Sequence, residues 1–247
     1  MPQLHVTLSP EKPLILPIAH QHALQGMLLS TLSAGDPFMS RLIHDGKPML
    51  HQRSYAPFVF SRLRGRRTLQ DGQLTYTGDL ALTIRSCSPS LLDTWEKGFR
   101  AAPAVTLLHQ PLHITGTARE DYAPLRSTVR IRMQTPVVLH RTDGQGRTVF
   151  LSPFDSDFSA YISANFKRKW HALCSAPAPG SVSLTPVSVT QKHRCVTRFK
   201  GASLCGWYGD YLLRAPEAAV RFLLDTGMGE RNGQGFGFFT IMDASDR

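Results

Sequence analysis

The chain has 247 residues, 42% hydrophobic and 19% charged, which supplies a buried core and excludes a disordered polymer. Its 28 Lys and Arg outnumber 18 Asp and Glu, a formal charge of +10, so polyanions are the expected partners. No run approaches the roughly 20 apolar residues of a bilayer crossing, and the start has no basic-then-apolar signal pattern, so no membrane partner is expected.

In chain order, Leu4 to Leu8 alternates apolar and polar residues and predicts a strand. Beyond Pro17, Leu24, Met27, Leu28 and Leu32 keep helical spacing up to Gly35. A second, shorter helix follows, with Asp36 as N-cap, Pro37 in the first helical position and Gly46 just past the end. Phe38, Leu42 and Ile43 give it an apolar face, and His44 falls in its last turn. Tyr55 to Phe60 predicts a strand, followed by the cluster Arg62, Arg64, Arg66 and Arg67. Strands follow at 74–76 and 80–84, then a helix from Ser90 to Phe99.

A second cycle opens near Ser127. Val129, Ile131 and Met133 alternate with Arg130, Arg132 and Gln134, a strand with one apolar and one basic face. Phe154, Phe158, Ile162, Phe166 and Trp170 keep i, i+4 spacing and predict a helix from Phe154 to Leu173, with Lys167, Arg168 and Lys169 near its C-terminal end. A Pro/Ala/Gly break at Ser175 to Gly180 stops it, and strands follow at 182–189, 195–200 and 206–213. Pro216 and Glu217 start a last helix that ends at Gly227, and Phe236 to Met242 predicts the closing strand.

Each half thus reads strand–helix–strands–helix–strand. The fold expected is α+β, two tandem ferredoxin-like (RRM-like) domains over 1–122 and 123–247 with a C-terminal glycine-rich loop. The four cysteines (Cys87, Cys174, Cys195, Cys205) form no C-x-x-C pair, and buried thiols in a reducing cytoplasm are expected. His20-x-His22 and His109-x-x-x-His113 do not put two ligands on one helical face, the second being broken by Pro111, so neither a metal nor another cofactor is expected.

The most specific segment runs from Gly227 to Gly237, with five glycines in eleven residues. It lacks the Gly-Lys-Ser/Thr of a P-loop. It follows a helix and opens a strand, the reverse of a dinucleotide-binding turn. Glycines there permit tight turns and close backbone approach.

Gly227-Met228-Gly229, five residues, then Gly235-Phe236-Gly237 resembles the C-terminal loop of the CRISPR repeat-processing endoribonucleases of the repeat-associated mysterious protein superfamily. The resemblance extends to His22–Leu29 (first helix), Leu42-Ile43-His44, Pro57–Leu63 (a Phe-x-Phe-Ser-x-Leu strand) and Asn165–Lys169 (an Asn-Leu-x-x-Lys helix). It implies two ferredoxin-like domains and metal-independent cleavage of CRISPR repeat RNA in its precursor, leaving a 2′,3′-cyclic phosphate and a 5′-hydroxyl. A base takes the 2′-hydroxyl proton, an acid protonates the leaving oxygen, and a cation steadies the phosphorane.

The family's catalytic histidine maps onto His44, where a helix C-terminus suits a general acid, and Lys47 is the candidate phosphate stabiliser. The family's usual first-helix tyrosine is Leu29 here, so the base is open. His51 and Tyr55 are candidates, with His20 and His22 behind them. RNA contacts are expected from Arg231 and the backbone of Gly227, Gly229, Gly235 and Gly237. The cluster Arg64, Arg66 and Arg67, the strand residues Arg130 and Arg132, and Lys167, Arg168 and Lys169 come next. A second reading on the same fold is a catalytically silent RNA-binding subunit of a CRISPR effector complex, with other complex subunits as partners. The protein is expected to be a monomer or homodimer.

Overall fold

The computed structural model describes residues 3–45, 49–50, 53–199 and 201–242, and the chain divides into two compact units, 1–47 with 60–122 and 48–59 with 123–247. Among the described residues no helix is long and apolar enough to cross a membrane.

Elements follow in chain order. β1 (Gln3–Pro10) and β2 (Leu14–Pro17) precede α1 (Gln21–Gly35) and α2 (Pro37–Asp45). β3 (Met49–Leu50) and β4 (Arg53–Ser54) form a short hairpin, and β5 (Phe58–Phe60) follows. Then come β6 (Arg64–Gln70), β7 (Gln73–Ser86), α3 (Pro89–Ala101), β8 (Ala104–Leu107) and β9 (Gln110–Glu120).

The first unit's sheet runs β2-β7-β1-β9-β8, with β6 also on β7. The pairs β1–β7, β1–β9, β2–β7, β6–β7 and β8–β9 are antiparallel, and β1 sits between β7 and β9, the ferredoxin-like order. Leu4, Val6 and Leu8 alternate into the core, as their period predicted, and meet a helical layer carrying Leu24, Leu28, Leu92, Trp95 and Phe99. Trp95 Nε1 donates to the Leu28 carbonyl at 2.8 Å, tying α3 to α1. The cap of α2 forms as read: Asp36 Oδ1 accepts from the amides of Phe38 and Met39 at 2.9 and 3.3 Å.

In the second unit β10 (Thr128–Val137) leads to the hairpin of β11 (His140–Thr142) and β12 (Thr148–Phe150). α4 (Phe158–Cys174), β13 (Ser183–Ser188), β14 (Arg194–Phe199), β15 (Ala202–Arg214), α5 (Glu217–Thr226) and β16 (Phe239–Ile241) complete it. The sheet runs β13-β15-β10-β16, with β14 on the far half of β15, so the ferredoxin-like order recurs. Ile131, Met133, Tyr211 and Leu213 form its buried side with Phe158, Ile162, Phe166, Val220 and Leu223.

Several expectations change. The helix predicted from Phe154 begins only at Phe158, because a turn closes first: Ser152 N donates to Asp155 Oδ2 at 2.8 Å. Phe154 is left 51% exposed, edge-on to the buried Trp207 with centroids 5.5 Å apart. The strands expected at 74–76 and 80–84 are one strand, β7. β2, β6, β8, β9 and the β11–β12 hairpin lie where the sequence predicts no strand, and the closing strand is shorter because 236–238 belong to the glycine loop. The thiols are not buried: Cys174 is exposed and the other three are half-buried. Residues 48–59 belong with the second unit, where Ala56 and Phe58 lie against Gly233.

Candidate functional site

The glycine-rich segment links α5 to β16 and packs on itself around one buried ammonium. Lys169, on α4, is only 1% exposed. Its Nζ donates to the Gly227 carbonyl at 2.6 Å and to Asn232 Oδ1 at 2.8 Å, with Gly229 and Thr226 carbonyls at 3.4 and 3.5 Å. Asn232 turns its Nδ2 to the carbonyls of Met228 (3.0 Å) and Phe236 (3.1 Å), the middle residues of the two Gly-x-Gly triplets. The triplets also meet directly, Met228 N donating to the Gly237 carbonyl at 2.8 Å.

This packing explains why glycine stands there. At Gly237 φ is +77°, and a Cβ would lie 2.0 Å from the Met228 carbonyl oxygen. At Gly229 φ is +69°, and a Cβ would lie 2.6 Å from the Val138 carbonyl oxygen. Real Cβ atoms do not come so close, and L side chains rarely adopt that backbone region.

The backbone is correspondingly occupied. The amides of Gly227, Gly235 and Gly237 donate to the carbonyls of Leu223, Asn232 and Pro136. The expectation that these amides cradle an RNA phosphate therefore meets a competing bond at each of the three. The expectation for Lys169 is corrected likewise: it is an internal strut, and the surface cation beside it is the exposed Lys167, with Arg168 half-buried.

What the loop presents outward is its apex. Arg231 adopts φ +59°, unusual for a residue with a side chain. Its Nη1 donates to Gln234 Oε1 at 3.2 Å, while its buried Nε has no partner among the described residues. Glu230 is held by its amide on the Val138 carbonyl at 2.9 Å and by a side-chain hydrogen bond with His140 Nδ1 on β11. His140 escaped the sequence reading because its partner lies 90 residues away, beyond any local pattern.

On the open face of the second sheet, Arg132 makes a two-pronged ion pair with Asp210 (Nε–Oδ1 2.7 Å, Nη2–Oδ2 2.9 Å), and Arg130 Nη2 reaches Oδ2 at 3.3 Å. These guanidiniums, Arg132 first, hold the Asp210 carboxyl below the usual carboxylate range. The basic face read from sequence is thus partly neutralised by a carboxylate supplied from β15.

In the first unit every residue of β6 is exposed, including Arg64, Arg66 and Arg67. Arg67 stands over the Tyr76 ring at 5.9 Å, and Arg64 Nη2 donates to Thr83 Oγ1 at 3.2 Å. His44 falls in the last turn of α2; its side chain, with Lys47 and His51, lies outside the described residues. Leu29 is half-buried on α1. Tyr55, in the second unit, is buried, and its hydroxyl has no partner among the described residues. His20 is buried too, its Nδ1–H donating to the Pro17 carbonyl at 2.9 Å; burial, aided by the Arg62 charge, lowers its pKa. His22 is exposed.

Residues 119–241 match the family described as CRISPR associated protein Cas6, C-terminal. No curated protein matches the chain in sequence. Among solved structures, a Cas6-related protein from Pyrococcus furiosus superposes with a TM-score of 0.86 at 14% identity, the match covering 98% of either chain. A RAMP protein described as binding different RNA substrates reaches 0.85 at 17% identity over 98% of this chain and 100% of that one. A Cas6 product complex reaches 0.72 at 18% identity, again over 98% and 100%.

Proposed function

We propose, on the premise that residues 119–241 are a Cas6 C-terminal domain, that this protein is an endoribonuclease that processes CRISPR repeat RNA. The observation that carries the reading is the likeness to Cas6 structures over 98% of the chain, with that domain inside it. A charge of +10 and the exposed arginines of β6 suit a polyanionic substrate.

In this reading the reaction needs no metal. The 2′-hydroxyl attacks the adjacent phosphorus, its proton passes to a base, and the P–O5′ bond breaks as an acid protonates the 5′-oxygen. The products are a 2′,3′-cyclic phosphate and a 5′-hydroxyl. His44 is the proposed acid: as a last-turn residue of α2 it sits where the helix dipole favours an imidazolium. Lys47 is the proposed phosphate stabiliser. For the base His51 is preferred over Tyr55, whose buried hydroxyl would first have to be uncovered. RNA is held by Arg231 and by Arg64, Arg66 and Arg67, with Lys167, Arg168, Arg130 and Arg132 as further counter-charges.

One observation favours the second reading, a silent RNA-binding subunit. Leu29 stands where the family pattern has its tyrosine on α1, and Leu29 cannot transfer a proton.

The deciding experiment incubates the protein and His44→Ala with repeat RNA in excess EDTA. Cutting at one position, reduced by about 10²-fold or more in the variant, is the expected result. Tight binding without cutting selects the silent subunit, and cutting that stops in EDTA overturns the metal-independent mechanism.

A further inference from the structure

We propose that Lys169 is a positioning residue: its buried ammonium organises the glycine-rich loop so that Arg231, at the apex, is presented to RNA. The proposal rests on the RNA-processing reading above and concerns how that reading's loop gains its shape.

The argument starts from a charge in an unusual place. An ammonium has three protons and is strongly hydrated, so burial to 1% exposure is costly unless each proton finds an acceptor. Around Lys169 Nζ stand four oxygens, the Asn232 side-chain carbonyl and the backbone carbonyls of Thr226, Gly227 and Gly229. All come from the end of α5 and the glycine loop, 57 to 63 residues further along the chain. Carbonyls converge on one point only if something positive is there, because their dipoles otherwise repel. The loop's curvature and the lysine's burial therefore require each other.

Asn232 carries the constraint onward. Its Oδ1 is taken by the ammonium, which fixes the amide so that Nδ2 points to Met228 and Phe236. Between these anchors the chain turns through Arg231 at φ +59°. That conformation is strained for an arginine and persists only because its surroundings hold it. A cation needed only for binding RNA would be exposed, as Lys167 is two residues earlier.

The test compares wild type, Lys169→Met, Asn232→Asp and Arg231→Ala. Hydrogen exchange is read at the amides of Met228, Glu230 and Gly237, and repeat-RNA affinity is read across a salt series. Lys169→Met is expected to lose at least ten-fold protection at those amides and at least ten-fold affinity, with the salt slope unchanged because Lys169 neutralises no phosphate. Arg231→Ala is expected to lower the slope by about 0.7 to 0.9, the loss of one phosphate contact. Should Lys169→Met fail to fold, Asn232→Asp replaces it: the acceptor for the ammonium stays, the two amide donors go, and the same signature is expected.

Unchanged exchange overturns the proposal, and so does a slope that falls as in Arg231→Ala, since Lys169 would then touch RNA itself. A wild-type protein that does not bind repeat RNA refutes the RNA-processing reading instead, while the exchange data still judge whether Lys169 shapes the loop.

Discussion

Gly237→Ala tests whether the loop glycines serve self-packing. Two costs are expected. The backbone at φ +77° penalises an L side chain by about 1–2 kcal/mol. The new methyl would also stand 2.0 Å from the Met228 carbonyl and 2.6 Å from Asn232 Nδ2, so the two triplets must separate. Overpacking of this kind adds about 1–3 kcal/mol. Gly201 is the matched control in the same unit: φ is +81°, and a Cβ there meets nothing within 4 Å. Gly201→Ala is therefore expected to cost the backbone strain alone. Urea unfolding followed by tryptophan fluorescence measures both, Trp170 and Trp207 reporting on this unit and Trp95 on the other. Equal losses in the two variants would refute the reasoning, because packing would then contribute nothing at Gly237.

Two further outcomes are expected of the first unit. Asp36→Ala removes the side-chain acceptor for the amides of Phe38 and Met39 and should destabilise by about 1 kcal/mol, measured by thermal or urea unfolding. His20 has a folded-state pKa lowered from 6.5 by burial, so the unfolded chain binds its proton more readily. Its contribution is full above pH 6.5 and is lost as the pH falls from there towards the folded-state value. Urea titrations between pH 5 and 8 should show stability falling on that acid side, with a smaller fall in His20→Asn, whose amide can still donate to the Pro17 carbonyl.

Local order was legible in the residues. The alternation of Leu4, Val6 and Leu8, the Asp36-Pro37 start of α2, and the row Phe158, Ile162, Phe166 each act within a few residues, and each appears where its period placed it. The row failed at Phe154 because a four-residue turn won over the helical period. Two ferredoxin-like orders are likewise expected from alternating strand and helix signals, though the local pattern predicts no strand at β2, β6, β8, β9 or the β11–β12 hairpin.

For the site, the sequence determined which residues are charged, which are glycine, and that a paired Gly-x-Gly motif lies between α5 and β16. Only the tertiary structure decided what they do. Lys169 reads like its neighbours Lys167 and Arg168, yet it is buried because its acceptors arrive from residues 226–232. Arg130 and Arg132 read as free cations, yet Asp210 reaches them from the neighbouring strand β15. Glu230 and His140 pair although 90 positions apart. A charge is set by its residue type, but its partner is set by whatever the fold brings within about 3–4 Å, and Coulomb and hydrogen-bond energies depend on that distance, on the angle of approach and on the local burial.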